Sequence, residues 1–219
     1  MTNNVCTIIG AGPGLSLAVA RRFAREGYAI SLLARRAEAL DDYAAHLRQS
    51  GAIVAGFAVD VADQESLKTA LASSRSELGA TNVLVYNAAV MKPAQPSALS
   101  SATLLNDFKV NVAGPLLAAQ DVLADMRAAK SGTILFTGGG LALHPSAQYT
   151  SLTIGKASVR VLAYCLGEEL EPEGIHVATV TIAGTIQAGD PRFDPDLVAE
   201  NYWQLHSQPK DKWQREIVY

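Results

Sequence analysis

Gly10, Gly12 and Gly14 stand between an apolar run, Val5–Ile9, and a helical pattern that opens at Leu15 and Ser16. Strand, glycine turn and helix form the setting in which a backbone cradles a phosphate. Glycines let the chain approach the anion, and the helix N-terminus offers unpaired N–H groups and a positive dipole end. Gly10, Gly12, Gly14, Leu15 and Ser16 are therefore candidate contacts for a dinucleotide. Two roles are open to Ser16: its hydroxyl on a phosphate oxygen, or a bond to its own backbone at the helix start. Pro13 has no N–H and removes one donor from the turn. About 20 residues past the glycines, an acid would bind the free ribose diol of NAD. Here that place is Ala34, followed by Arg35 and Arg36. Guanidinium groups match phosphate geometry, so the pair fits the 2′-phosphate of NADP better than NAD.

Other chemistry is sparse. His46, His144, His176 and His206 lack metal-ligand spacing, and no Gly-x-Ser-x-Gly turn is present. Two cysteines, Cys6 and Cys165, do not suggest a disulfide framework. With 219 residues the chain suits a single domain over residues 1–219. A net charge of -3 gives no reason to expect nucleic acid or an anionic membrane. No apolar run approaches the roughly 20 residues that span a bilayer, and Met1–Asn4 does not resemble a signal peptide. A cytoplasmic protein is the expectation.

These residues need a scaffold. Strand-like runs at Val5–Ile9, Ala29–Ala34, Ile53–Val59, Val83–Tyr86, Thr133–Thr137 and His176–Ile182 alternate with helical patterns. The helices fall near Leu15–Glu26, Ala37–Gln49, Gln64–Leu78, Leu104–Ala129 and Thr153–Leu170. Nearly continuous apolar strands fit a parallel sheet buried on both faces. The predicted fold is a single-domain, doubly wound α/β sheet of Rossmann type, with the ligand at the carboxyl ends of its strands. Asp194-Pro195-Asp196 predicts a helix to about Leu205, and Trp213–Val218 a last edge strand. Only nine residues, Thr185 to Phe193, separate Gly184 from that helix, so a short substrate-side segment is expected near residues 184–206.

Six landmarks, in order, resemble the short-chain dehydrogenase/reductase family. They are the glycine turn, Asp60-Val61, Asn87-Ala88-Ala89, Asn111-Val112-Ala113-Gly114, Gly155-Lys156-Ala157-Ser158 and Pro172–Val177. The resemblance runs from Val5 to about Gly184. It implies an NADP-dependent oxidoreductase passing hydride to or from a small carbonyl or enoyl substrate. It adds Asp60 and Val61 at the adenine, and Asn87, Ala88, Lys156 and Gly184 as further cofactor contacts. Asn111 and Lys156 match two members of the family's catalytic set. The other two depart: Leu152 stands four residues before Lys156 where a tyrosine is usual, and a glycine of Gly138–Gly140 replaces the serine. Tyr149, in a Tyr-x6-Lys pair with Lys156, resembles the enoyl-acyl carrier protein reductase branch, as does the Gly10, Ser16, Ala18 spacing. Tyr149 would then protonate the enolate oxygen while Lys156 holds the nicotinamide ribose. Seven helical residues would separate the two by roughly 10 Å. The expectation is therefore that Thr150–Thr153 leaves the helix and folds Tyr149 back. Thr137, Ser146 and Thr153 are weaker sources of a hydroxyl. The alternative reading is an inactive NADP-binding sensor that has lost its catalytic side chains. The family pattern also implies a homodimer or homotetramer, with an apolar stripe of Phe108, Val112, Leu116, Ala119, Leu123 and Met126.

Overall fold

The computed structural model describes residues 4–219. Its strands are β1 (Val5–Ile9), β2 (Ala29–Ala34), β3 (Val54–Ala58), β4 (Thr81–Tyr86), β5 (Gly132–Thr137), β6 (Ile175–Thr181) and β7 (Glu216–Val218). They form one sheet in the order β3-β2-β1-β4-β5-β6-β7, and every neighbouring pair is parallel. The order reverses direction between β1 and β4, which is where doubly wound sheets open a crevice for ligands.

Helices α1 (Leu15–Arg25), α2 (Ala37–Arg48) and α7 (Pro195–His206) cover one face. Helices α3 (Gln64–Leu78), α5 (Gly114–Ala129) and α6 (Thr150–Leu170) cover the other. Burial on both faces explains the unbroken apolar strands: all five residues of β1 and all seven of β6 are buried. Asp194 caps α7 as its sequence predicts, its carboxylate accepting from Asp196 N–H. None of the described helices is long and apolar enough to cross a membrane.

The long helix expected over Leu104–Ala129 is two helices. α4 (Ser101–Phe108) and α5 are joined by a π-helical turn, Lys109–Ala113, in which Gly114 N–H donates to Lys109 O. Pro115 is the physical reason. It has no N–H for the carbonyl of residue 111, so the hydrogen-bond ladder shifts by one residue ahead of it. The Val110 carbonyl is satisfied by the Tyr86 hydroxyl at 2.7 Å. The stripe divides accordingly. Ala119, Leu123 and Met126 are buried, while Phe108 is exposed.

The opposite end of the sheet carries an acid-sensitive pair. His206 on α7 shares hydrogen bonds with Thr133 Oγ1 at 2.9 Å and the Tyr28 hydroxyl at 2.7 Å. Burial pulls its pKa down to about 4. His176, in register with Thr133, stacks on Trp213 at 4.8 Å, and burial lowers its pKa too. An unfolded imidazole titrates near 6.5, so between that pH and about 4 the unfolded chain binds protons that the folded one refuses. Stability is therefore full above pH 6.5 and falls as pH drops through this window, by about 1–3 kcal/mol for His206. Urea unfolding at pH 7.5, 6 and 5 measures the slope. A His206→Gln variant should flatten it, and a flat wild-type profile contradicts the assignment.

Candidate functional site

The glycine turn leaves β1 and doubles back toward β2. Gly10 N–H and Ala11 N–H both donate to Leu33 O, and Gly10 has φ +89°. A side chain there would collide with the Ala88 backbone, so strained φ and close approach both call for glycine. Gly12 and Gly14 differ: a Cβ on either would meet nothing within 4 Å. Nothing in the protein's own packing demands glycine at those two positions. The surface above them is a cradle for something else. Among the described residues no side chain caps α1 at its N-cap, Gly14, which leaves the first-turn amides at that cradle for a ligand. This fits a pyrophosphate.

Ser16 takes the second of its two roles. It is buried, its hydroxyl donates to Gly10 O at 2.7 Å, and it accepts from Asn87 Nδ2 at 2.8 Å. Asn87 also reaches Gly10 O. Both side chains thus brace the turn from beneath. Of the two roles open to Ser16, the hydroxyl here takes a bond to backbone, that of the turn at Gly10.

Arg35 and Arg36, at the end of β2, are exposed and enter no ion pair among the described residues. Asp60 is exposed, with one carboxylate oxygen accepting from Ala62 N–H, and Val61 is buried beside it. The work of capping α3 falls to Asp63, which accepts from the Glu65 and Ser66 amides.

A small recess at the ends of β4 and β5 is lined by Tyr86, Ala88, Ala89, Asn111, Thr137, Lys156 and Val159. Lys156 Nζ donates to Thr137 O at 2.6 Å. Burial strips water from the ammonium and pulls its pKa from 10.5 down to about 8. Asn111, buried in the π turn, clamps residue 90 from both sides: Val90 N–H donates to its Oδ1 and its Nδ2 donates to Val90 O. Gly155 lets α6 close on Asn111, since a Cβ there would lie 2.7 Å from the Asn111 Cβ.

Tyr149 does not fold back. α6 begins at Thr150, with Tyr149 as its N-cap and Thr153 N–H already bonded to Tyr149 O. The expected loop over Thr150–Thr153 is corrected to a helical turn. What fixes Tyr149 is a short bridge to Ala94, whose N–H donates to Gln148 O and whose carbonyl accepts from Thr150 N–H. Two of the three weaker hydroxyls, those of Thr137 and Thr153, are engaged elsewhere. Thr137 Oγ1 pairs with the Tyr202 hydroxyl at 2.7 Å, and Thr153 Oγ1 donates to Ser146 O. Leu152 is buried. A Cβ on Gly139 would make ordinary contact, 3.5–3.6 Å, with the Lys156 side chain.

On the far side of the site, the Phe193 ring lies against Gly184 so closely that no side chain fits there. The segment between them is folded on itself, with Gln187 N–H donating to Phe193 O and Asp190 accepting from Arg192 and Phe193 N–H. Tyr219 holds it from outside: its hydroxyl donates to Arg192 O and its ring meets Phe193 edge-on at 5.7 Å. Sequence reading misses Thr137 O, Val90, Tyr202 and Phe193. The first two act through backbone atoms, which leave no residue-type signal, and the last two are distant in sequence.

Comparison with known proteins gives a consistent result. The family model described as short chain dehydrogenase matches residues 4–189. A cis-4-hydroxycyclohexanecarboxylate dehydrogenase of Sinomonas cyclohexanicum is 30% identical over 177 residues, 80% of this chain and 71% of that one. A 2,3-dihydro-2,3-dihydroxybenzoate dehydrogenase of Bacillus subtilis (strain 168) is 29% identical over 181 residues, 83% of this chain and 69% of that one. Among solved structures, a metagenomic short-chain oxidoreductase in complex with NADP superposes with a TM-score of 0.90, covering 100% of this chain and 97% of that one at 24% identity.

Proposed function

The chain belongs to the short chain dehydrogenase family, so its chemistry is hydride transfer, and we propose that the carrier is NADP and the acceptor a small carbonyl or enoyl compound. The observation that carries this reading is the convergence at one end of the sheet of an open glycine cradle, two arginines in no ion pair among the described residues, and a half-buried lysine. Gly10, Gly12, Gly14 and Leu15 would hold the pyrophosphate through their backbone. Arg35 and Arg36 would hold the 2′-phosphate, and Asp60 and Val61 the adenine. Asn87, Ala88 and Gly184 would line the nicotinamide half. The cofactor supplies the hydride; the protein orients it and stabilises the developing oxyanion. Support for NADP also comes from the NADP complex of the structural relative.

Lys156 would keep one N–H on Thr137 O and direct its others to the nicotinamide ribose, with Asn111 keeping the Val90 loop in place. Tyr149 would supply the proton. Positions 139 and 152, which flank a carbonyl on the hydride-accepting carbon, carry no transferable proton. Tyr149 stands about one helical turn further out than position 152. That suits an oxygen conjugated to the acceptor carbon rather than borne on it, so the enoyl arm is favoured. The sensor alternative needs a site that binds cofactor without turnover. The grouping of Lys156, Asn111 and the Thr137 carbonyl in one recess favours chemistry instead.

The protein would be cytoplasmic and act on small molecules. The exposed apolar residues Leu105 and Phe108 on α4, and Ile154, Val161 and Tyr164 on α6, would be covered in a homodimer or homotetramer. Incubating the protein with NADPH and matched saturated ketones and α,β-unsaturated carbonyl compounds, following absorbance at 340 nm, tests the activity. Oxidation of NADPH with the unsaturated set is expected. Cofactor binding without turnover of either set would favour the sensor.

A further inference from the structure

Lys156 owes its place to a single backbone carbonyl, that of Thr137. Thr137 ends β5, and three consecutive glycines, Gly138–Gly140, come directly after it. Glycines have no side chains to anchor and the freest backbone of any residue. Two amides of the run are tied to β6 and its extension, Gly138 N–H to Val180 O and Gly140 N–H to Ile182 O. The last side-chain anchor before the run is the Thr137 hydroxyl. It is buried and paired at 2.7 Å with the hydroxyl of Tyr202, a fully buried residue of α7, 65 positions away. Tyr202 belongs to the buried apolar cluster that also holds Leu15, Ile182 and Val198, and Thr137 supplies its hydrogen bond. A phenol placed there for packing alone would be better replaced by phenylalanine, since a buried hydroxyl must find a partner.

We propose that Tyr202 is a positioning residue for Lys156: its hydroxyl fixes Thr137, and the Thr137 carbonyl fixes the ammonium. The inference rests on the reading of Lys156 as the residue that holds the cofactor. α7 is itself seated firmly on α1, through Arg21–Asp196 at 2.6 Å and Arg22–Glu200 at 2.8 Å. The anchor links the helix beyond the substrate-side segment to the lysine on the opposite face of the sheet. Within the recess the other titratable group is Tyr86, which burial keeps as a neutral phenol and which donates to Val110 O.

The test is the titration of Lys156 itself, read by NMR on whole protein labelled with [ε-13C]lysine, the peak being assigned by its loss in Lys156→Arg. Tyr202→Phe removes only the hydroxyl. If the carbonyl then slackens, the charged ammonium loses a hydrogen bond, and the Lys156 midpoint should fall by about 0.5–1 pH unit. Water entering a merely loosened core would move it upward. Thr137→Val should reproduce the fall and add nothing when combined with Tyr202→Phe, as coupled partners do. Thr137→Ser, which keeps the hydroxyl, should hold the wild-type midpoint. In turnover assays, kcat/KM for Tyr202→Phe should drop about 3–10-fold. A midpoint that stays put or rises in both Tyr202→Phe and Thr137→Val overturns the proposal. The titration needs no turnover, so failure of the wild type to oxidise NADPH would count against the proposed function alone.

Discussion

Tyr149→Phe is expected to bind NADP normally and to lower turnover by roughly 10²–10⁴, the range for loss of a general acid. Tyr149 stands one residue outside α6, so the helix brings it to the open edge of the sheet without holding its side chain in a turn. As the N-cap, Tyr149 has φ -125° and ψ 50°, so the helical repeat does not set its side chain, and a rise of roughly 1.5 Å per residue puts its backbone about 10 Å along the axis from Lys156. That separation suits a division of labour. Lys156 would address the ribose and Tyr149 the substrate oxygen, with the nicotinamide between. The phenol is expected to affect kcat and the lysine both kcat and cofactor affinity. Comparing Tyr149→Phe with Lys156→Ala by NADPH titration and steady-state kinetics separates the two roles. Unchanged turnover in Tyr149→Phe would remove the tyrosine from the mechanism.

The largest effect on binding should come from Arg35→Ala/Arg36→Ala. Charge-assisted hydrogen bonds contribute about 1.5–3 kcal/mol each, so losing both should weaken NADP by at least two orders of magnitude. NAD, which has no 2′-phosphate, should be nearly unaffected. The two arginines are the right reagents because neither is committed to a carboxylate among the described residues. Arg36 is the N-cap of α2, where the helix dipole disfavours a cation unless an anion arrives to offset it. Isothermal titration of both cofactors against wild type and the double variant reads the difference. Equal wild-type affinities for NADP and NAD would sink the claim.

Much of this architecture is legible in the sequence, for a simple reason. A sheet buried on both faces writes each strand as an apolar run, and each helix start carries its own punctuation. Asp194-Pro195 marks α7 because an Asp cap and a proline in the first turn have local causes. The boundary of α6 is harder to read. Tyr149-Thr150-Ser151 carries no strong cap, and the helix is started by tertiary contact, the bridge to Ala94. The split between α4 and α5 has a signal, Gly114-Pro115, whose effect falls a turn earlier than the residues that cause it. Within the site, the glycines and arginines declare themselves by type. Thr137 and Val90 do not, since they serve through carbonyl and amide groups that every residue has. Ser16 shows the converse. Its hydroxyl suggests a ligand contact, but burial and the neighbouring Asn87 turn it inward.

The π turn between α4 and α5 is also a phase setter. Each residue of a helix advances the chain by about 100°, so the ladder slip at Lys109–Ala113 rotates the downstream helix against the upstream one. Ahead of the slip, Leu105 and Phe108 look outward; beyond it, Ala118, Val122 and Met126 look into the sheet. One continuous segment thereby presents two faces, an outer one at Leu105 and Phe108 and an inner one bound to the core. Removing one residue from the π turn would regularise the coil and leave the downstream side chains facing the sheet, whereas removing one from within α5 would set its two parts about a quarter turn out of phase. The π turn is thus the one place in this segment where a residue can be lost without turning the buried face of α5 away from the sheet.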